Sequence, residues 1–250
     1  MATTVAVATR PHARVTYDRV FYSSMALLMA LTVFVGFAPS YYLKPILHTP
    51  VRPRQGPLSP LAHVHAILFT GWVLLVVAQT TLIRRRQVSV HRRVGIAGAV
   101  LAAAMVVVGS LTLLKAAARG AFPDSLSLPL FVMGPLSNVL FFGVFVSLAV
   151  RMRTNKEAHK RLMLLAYVCI IGAAIGRMPG VLAIGPAAPI ALTFVFLLLG
   201  IVYDLLTRRS VHPVYRWGGG LLVLSVPLRF AIARTDIWKS VAEHLVALVS

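Results

Sequence analysis

Histidine and arginine are the residue types in this chain whose positions suggest chemistry. Three of its eight histidines, His91, His159 and His212, each stand in a short basic turn just before a long apolar stretch. Histidine is the commonest metal ligand in proteins. The repeated placement raises the hypothesis that these imidazoles converge on a metal or a haem.

A simpler interpretation of the same three histidines stays open. Each can be an amphipathic residue at the membrane interface, hydrogen-bonded to a helix end or to a lipid phosphate. Neighbouring arginines, such as Arg92 and Arg93, disfavour a bare cation but suit haem propionates or phosphate. Haem ligands would have to come from different helices, because no histidine pair on one helix is spaced to hold a haem alone.

A second group of candidates lies toward the opposite ends of the apolar segments. His63 and His65 are two positions apart, so at most one can face the centre of a helical bundle. Arg177 and Arg229 fall inside apolar segments, where an arginine is costly unless it is paired or reaches the surface. Together they predict a pocket for haem propionates, a quinone-like head group or an anionic substrate. Snorkelling toward lipid phosphates is the alternative.

Composition indicates the setting in which these residues work. The chain has 250 residues, of which 58% are hydrophobic and only 12% charged, with a mean hydropathy of +0.84. A soluble domain of this length needs far more charge to cover its surface. We predict an all-α protein embedded in the lipid bilayer. The net charge of +19 is then a topology signal rather than a sign of nucleic-acid binding.

The apolar blocks define the predicted spans. A helix needs about 17–25 mostly apolar residues to cross a bilayer. Seven segments qualify, namely Val20–Leu43, Leu61–Ile83, Val94–Ala118, Leu126–Val150, Leu162–Ile184, Pro189–Thr207 and Trp217–Ala233. Because the basic turns resemble one another, we predict a seven-transmembrane helical bundle built from one helix plus three related hairpins.

The segments outside the spans complete the predicted organisation. Residues 1–19 form a cytosolic tail, 20–234 the membrane domain, and 235–250 a short amphipathic C-terminal helix with Thr235 and Asp236 as capping candidates. Most of the 25 Lys and Arg residues fall on one side of the seven spans. The positive-inside rule then places the N-terminus in the cytosol and the C-terminus in the periplasm of a bacterial inner membrane.

Three further polar residues receive structural interpretations. Asp204 lies four positions before Arg208, the favourable spacing for an ion pair on one helix face. Asn138 follows Pro135 and is expected to bond carbonyls freed by that proline. The single cysteine, Cys169, is expected to be a small packing residue, so no cysteine-based metal site is predicted.

The stretches "HRRVG" and "AHKRLM", which contain His91 and His159, carry a resemblance to a known family. They resemble uncharacterised bacterial multi-spanning membrane proteins, grouped as domains of unknown function, whose spans begin with similar residues. Some of those look related to the membrane proteins that help install haem in cytochrome oxidase. The resemblance covers two helix starts and implies that His91 and His159 contact haem or metal.

Three functions follow as hypotheses. The first is a membrane protein that binds haem b, in electron transfer or respiratory-complex assembly, with respiratory-complex subunits as partners. The second is a small carrier or channel for an anionic or amphiphilic solute, and the third a structural subunit of a membrane complex. The apolar segments contain no mid-membrane lysine for a retinal Schiff base and no hydrolase constellation, and whether the chain is an enzyme stays open.

Overall fold

The computed structural model describes residues 11–47, 58–123, 126–185 and 187–250, and within these ranges the chain is helical, without strands. The helices are α1 (Pro11–Phe37), α2 (Lys44–Leu47), α3 (Pro60–Arg84), α4 (Val88–Ala118), α5 (Leu128–Arg151), α6 (Lys156–Ile175), α7 (Val181–Ile184), α8 (Ala188–Arg208), α9 (Gly220–Ile232) and α10 (Asp236–Ala247). The described chain also has two π-helical segments. Ala38–Tyr42 follows α1, and Tyr215–Gly219 precedes α9. The predicted all-α class is confirmed.

Six of the described helices are long and apolar enough to cross a membrane. They are α1 with its π segment, α3, α4, α5, α6 and α8. The predicted seventh span falls on the π segment at Tyr215 and on α9, which has 13 residues and contains Pro227. Since α9 alone is shorter than a bilayer requires, the seventh span and the three-hairpin architecture stay predictions.

A lipid-like environment explains the surface of the long helices. Many large aliphatic side chains are exposed on them, including Ile67, Leu74, Ile96, Val100 and Leu206. Exposed apolar residues in such numbers would be an aggregation hazard in water but are the expected contact with acyl chains. The chain is therefore compatible with an integral membrane protein.

Helix α6 is the centre of the bundle. It packs against α1, α5 and α8, and about two thirds of its apolar window (67%) is buried. The neighbours α1, α3, α4 and α5 complete a ring, in which each packs on the next and α5 and α1 both pack on α6. Polar residues on α6 are consequently sheltered by three neighbouring helices.

Two helix ends differ from the predicted boundaries. Helix α1 begins at Pro11, inside the predicted tail. The helix therefore starts nine residues before Val20, the first residue of the predicted span. Helix α6 ends at Ile175 rather than at Ile184, and the chain turns at Gly180, whose φ is +80°. Pro179 and this left-handed glycine end the long helix, and only the short α7 follows.

The C-terminal helix α10 packs on the bundle. Thr235 caps it by accepting a hydrogen bond from the Trp238 backbone N–H at 3.3 Å. Trp238 Nε1 donates to the Pro129 carbonyl at 2.9 Å, and Ala242 is buried in a cluster with Leu114 and Val132. These contacts pack the apolar face of the predicted amphipathic helix on the bundle.

One close helix contact depends on a glycine. A Cβ atom on Gly36 of α1 would overlap the backbone carbonyl of Ala174 on α6. Small residues allow such close approach of membrane helices. The contact fixes α1 against the central helix.

We expect Gly36→Ala to destabilise the protein by about 1–3 kcal/mol, because the added methyl group forces α1 away from α6. The control is Gly134→Ala on α5, where a Cβ atom meets nothing within 4 Å. Thermal unfolding in detergent should show a lower midpoint for the first variant and an unchanged or higher one for the second. Equal midpoints would contradict the close contact.

Candidate functional site

Two of the three histidines from the basic turns lie together. His91 lies in the first turn of α4, and His159 lies in the first turn of α6. Their ring centroids are 6.4 Å apart, and the ring planes are at 88° to each other. His159 Nδ1 lies 2.8 Å from the Ala149 carbonyl oxygen, so Nδ1 carries a proton and donates to that carbonyl. His91 Nδ1 is buried and has no hydrogen-bond partner among the described residues.

His212 has different neighbours. Its backbone N–H donates to Asp204 Oδ2 at 3.1 Å, and its Nδ1 accepts from the Val214 N–H at 3.2 Å. In the described part of the chain no ring contact joins it to His91 or His159. The structure thus brings His91 and His159 together and gives His212 other partners. Burial, and then the charge of Arg161, lower the pKa of the His212 imidazole, which favours its neutral form.

A charged cluster lies at the same end of the bundle. We use this name for Asp18, Glu157, Lys160, Arg161, Asp204 and Arg208, which come from α1, α6 and α8. Arg161 and Asp204 are both fully buried. Arg161 Nε donates to Asp204 Oδ2 at 2.9 Å, its Nη2 pairs with Asp204 Oδ1, and its Nη1 donates to Glu157 Oε2 at 2.7 Å.

The cluster extends on both sides of this pair. Lys160 Nζ lies 2.6 Å from Asp18 Oδ2, and the Tyr203 hydroxyl donates to Asp18 Oδ1 at 2.7 Å. Arg208 pairs with Glu157. The cluster thus holds three acidic and three basic side chains, so its charges balance and α1, α6 and α8 are joined across the bundle.

Sequence reasoning missed the main partner of Asp204. In the predicted pair, Arg208 Nε lies 3.7 Å from Asp204 Oδ1, which is too long for a hydrogen bond. Arg161 instead forms the bidentate contact with Asp204. A rare acidic residue inside an apolar helix is the signal that predicts a buried cation nearby, but its position on another helix is not in the sequence.

At the opposite end the predicted residues have separate hydrogen-bond and ring contacts. His63 is exposed and lies near the Tyr41 hydroxyl at 3.4 Å, whereas His65 stacks on Phe69 at 4.1 Å. Arg177 is exposed, donates to the Ala173 carbonyl at 2.8 Å and lies 4.9 Å from the centroid of Phe37. These contacts place the two histidines on different sides of α3, as their spacing predicts.

Arg229 lies in a different place, at the wall of a cavity. This Arg229 cavity has a volume of about 220 Å³ and is enclosed by α5, α6, α8 and α9. Its lining consists of Leu130, Gly134, Asn138, Val168, Cys169, Gly172, Pro189, Ile190, Thr193, Phe194, Leu222, Val226, Arg229 and Phe230. The walls are mainly apolar, and the only formal charge among these lining side chains belongs to Arg229.

The guanidinium of Arg229 is held but not neutralised. Its Nη1 donates to Asn138 Oδ1 at 2.5 Å, and it lies 5.2 Å from the centroid of Phe141. Its buried Nε has no hydrogen-bond partner among the described residues. Asn138 therefore positions Arg229 rather than bonding the carbonyl groups near Pro135, as its position had predicted. The Ser137 hydroxyl donates to two of those carbonyl groups, at 2.6 and 3.0 Å.

Comparison with known proteins does not assign the chain to a family. No family model, no curated protein and no solved structure matched this chain. Within the described residues, no group of three or more His, Cys, Asp or Glu side chains is arranged to hold a metal ion. Function has to be argued from the geometry of the chain's own residues.

We expect Arg161→Met to destabilise the protein by about 3–5 kcal/mol, because Asp204 would remain buried without its principal partner. Arg151→Met is the control, since Arg151 is exposed at the end of α5. The double variant Arg161→Met with Asp204→Leu should recover part of the loss. Thermal unfolding measures all three, and a wild-type midpoint for Arg161→Met would contradict the role of the pair.

Proposed function

We propose that this protein binds a small anionic amphiphile within the membrane, in the Arg229 cavity. The observation that carries the proposal is the guanidinium at a mainly apolar wall, with no hydrogen-bond partner for its Nε in the described part of the chain. Of the three hypotheses from the sequence, this supports the second, a carrier or channel for an anionic or amphiphilic solute.

Charge is the first argument for an anionic ligand. Among the described residues no carboxylate pairs with Arg229, whose partners are the neutral Asn138 and the ring of Phe141. A cation in an apolar setting is costly until an anion or hydrogen-bond acceptor completes its shell. A carboxylate or phosphate would supply acceptors for the free Nε–H.

The remaining lining sets the size and polarity of the ligand. At roughly 30 Å³ for each water-sized group, a cavity of about 220 Å³ holds a head group and a short aliphatic chain. Thr193 contributes little polarity, because its hydroxyl donates to the Pro189 carbonyl at 2.8 Å. Apolar side chains from four helices would surround the chain of the ligand.

Orientation is part of the proposal. The charged cluster joins the early part of α1 to the start of α6 and the end of α8, which puts the basic turns and the start of α1 at one end of the bundle. With the positive-inside rule, we assign that end to the cytosol of a bacterial inner membrane. The Arg229 cavity then lies toward the opposite face.

Haem b at His91 and His159 is the second candidate, favoured by the 6.4 Å between their rings. Two imidazoles from different helices would supply the axial nitrogens, and Arg92 and Arg93 suit the propionates. Neither histidine lines the Arg229 cavity, however. A role in electron transfer or respiratory-complex assembly depends on this second candidate.

The first test uses Cys169, the single cysteine of the chain and part of the cavity lining. We expect octanoate to slow modification of Cys169 by methyl methanethiosulfonate, followed by mass spectrometry of the intact protein. Octanol and octylamine share the chain length but lack the negative charge, so they should protect less. Equal protection by octanol and octanoate would overturn an anion-selective site.

Variants connect the protection to the guanidinium. Arg229→Gln should remove the difference between octanoate and octanol, since the amide retains hydrogen bonding but not charge. Arg234→Gln is the matched control, because Arg234 is exposed just beyond α9. Comparable rates of Cys169 modification without ligand would show that the variants keep the native packing.

For the second candidate, the measurement is an absorption spectrum of the purified protein, as isolated and after reduction with dithionite. Haem held by His91 and His159 predicts a Soret band and sharpened bands on reduction, lost in His159→Ala and kept in His63→Ala. A flat spectrum after expression with added haem would exclude this candidate.

A further inference from the structure

A second cavity lies where α8 ends. Its volume is about 460 Å³, and it is lined by Arg208, Ser210, Val211, His212, Pro213 and Arg216. We call it the basic cleft. The chain turns there through Arg209, whose φ of +55° is left-handed, and then enters the π segment that begins at Tyr215. The cleft belongs neither to the Arg229 cavity nor to the His91–His159 pair.

Several hydrogen-bond donors in the basic cleft are free. Arg208 Nε is buried without a hydrogen-bond partner in the described part of the chain, since Asp204 Oδ1 at 3.7 Å is too distant. His212 Nδ1 accepts from Val214, so the neutral imidazole carries its proton on Nε2. Arg216 is exposed, and its guanidinium forms no hydrogen bond or ion pair among the described residues.

Local charge favours an anion. The charged cluster next to the cleft is balanced, because Arg208 belongs to it and is paired with Glu157. Arg209 and Arg216 are therefore excess positive charge, and neither has an acidic partner among the described residues. Two carboxylates lie next to the cleft, and both are already paired. Glu157 contacts Arg208, Arg161 and Lys160. Asp204 is fully buried and occupied by Arg161 and the His212 N–H.

We propose that the basic cleft binds a phosphate group. Arginine pairs readily with phosphate, and a neutral imidazole N–H adds a donor that does not depend on protonation. The cleft lies where an apolar helix of membrane-spanning length ends, next to exposed Leu206 and Trp217. Basic pockets at this level bind the head groups of anionic lipids, which makes a lipid phosphate the expected source.

The test measures binding to the detergent-purified full chain by isothermal titration. The probes are dihexanoyl phosphatidylglycerol, which is net anionic, dihexanoyl phosphatidylcholine, in which a choline cation offsets the phosphate, and inorganic phosphate. We expect the phosphatidylglycerol to bind best. Arg216→Gln should weaken that binding by roughly fivefold, the effect of about one arginine near an anionic head group.

Arg85→Gln is the matched control, because Arg85 is also an exposed arginine in a basic turn but lies just after α3. Arg216→Lys should retain part of the affinity. Comparable binding of inorganic phosphate, weakened by Arg216→Gln, would also support the phosphate site and would identify a soluble source. Equal affinities for the two lipids, or equal effects of Arg216→Gln and Arg85→Gln, would overturn the proposal, whatever the result for the Arg229 cavity.

Discussion

Arg161 and Asp204 are 43 residues apart in the chain and meet where neither side chain reaches solvent. Removing two such charges from water is unfavourable unless each finds a close and well-oriented partner. Here the guanidinium bonds two carboxylates, Asp204 and Glu157, while Asp204 also accepts the backbone N–H of His212. The arrangement is one that fixes a unique packing of α6 against α8, because a shifted register would leave a buried charge unpaired.

The rest of the bundle is consistent with this anchor. Lys160 and Asp18 extend the ionic contacts to α1, and the Gly36 contact holds α1 close to the far end of α6. Between α8 and the second π segment, a Cβ atom on Gly200 would lie only 2.6 Å from the Tyr215 hydroxyl. The π segment is thereby held tightly against α8. Both ends of the central helix are thus fixed, one by charge and one by close backbone contact.

This anchored end separates two environments. Cys169 in the Arg229 cavity lies eight positions after Arg161, about 12 Å along the helix at 1.5 Å per residue. Between them Leu165, Leu197 and Phe145 are buried. The Arg229 cavity is apolar with one charge, whereas the basic cleft beside the cluster is open and polar. A fatty chain suits the first environment, and a phosphate head group suits the second.

The sequence by itself determined the helical class, six of the membrane-length segments and the candidate arginine at position 229, because hydropathy and the cost of a charge in an apolar segment are local properties. It also placed His63 and His65 on different sides of one helix. Only the tertiary structure decided that His91 meets His159 while His212 does not, that Asn138 holds Arg229, and that Asp204 pairs with Arg161 rather than with its neighbour Arg208. Those pairings depend on how helices distant in the chain rotate and slide against one another, and a helix's own residue pattern does not specify its neighbour's register.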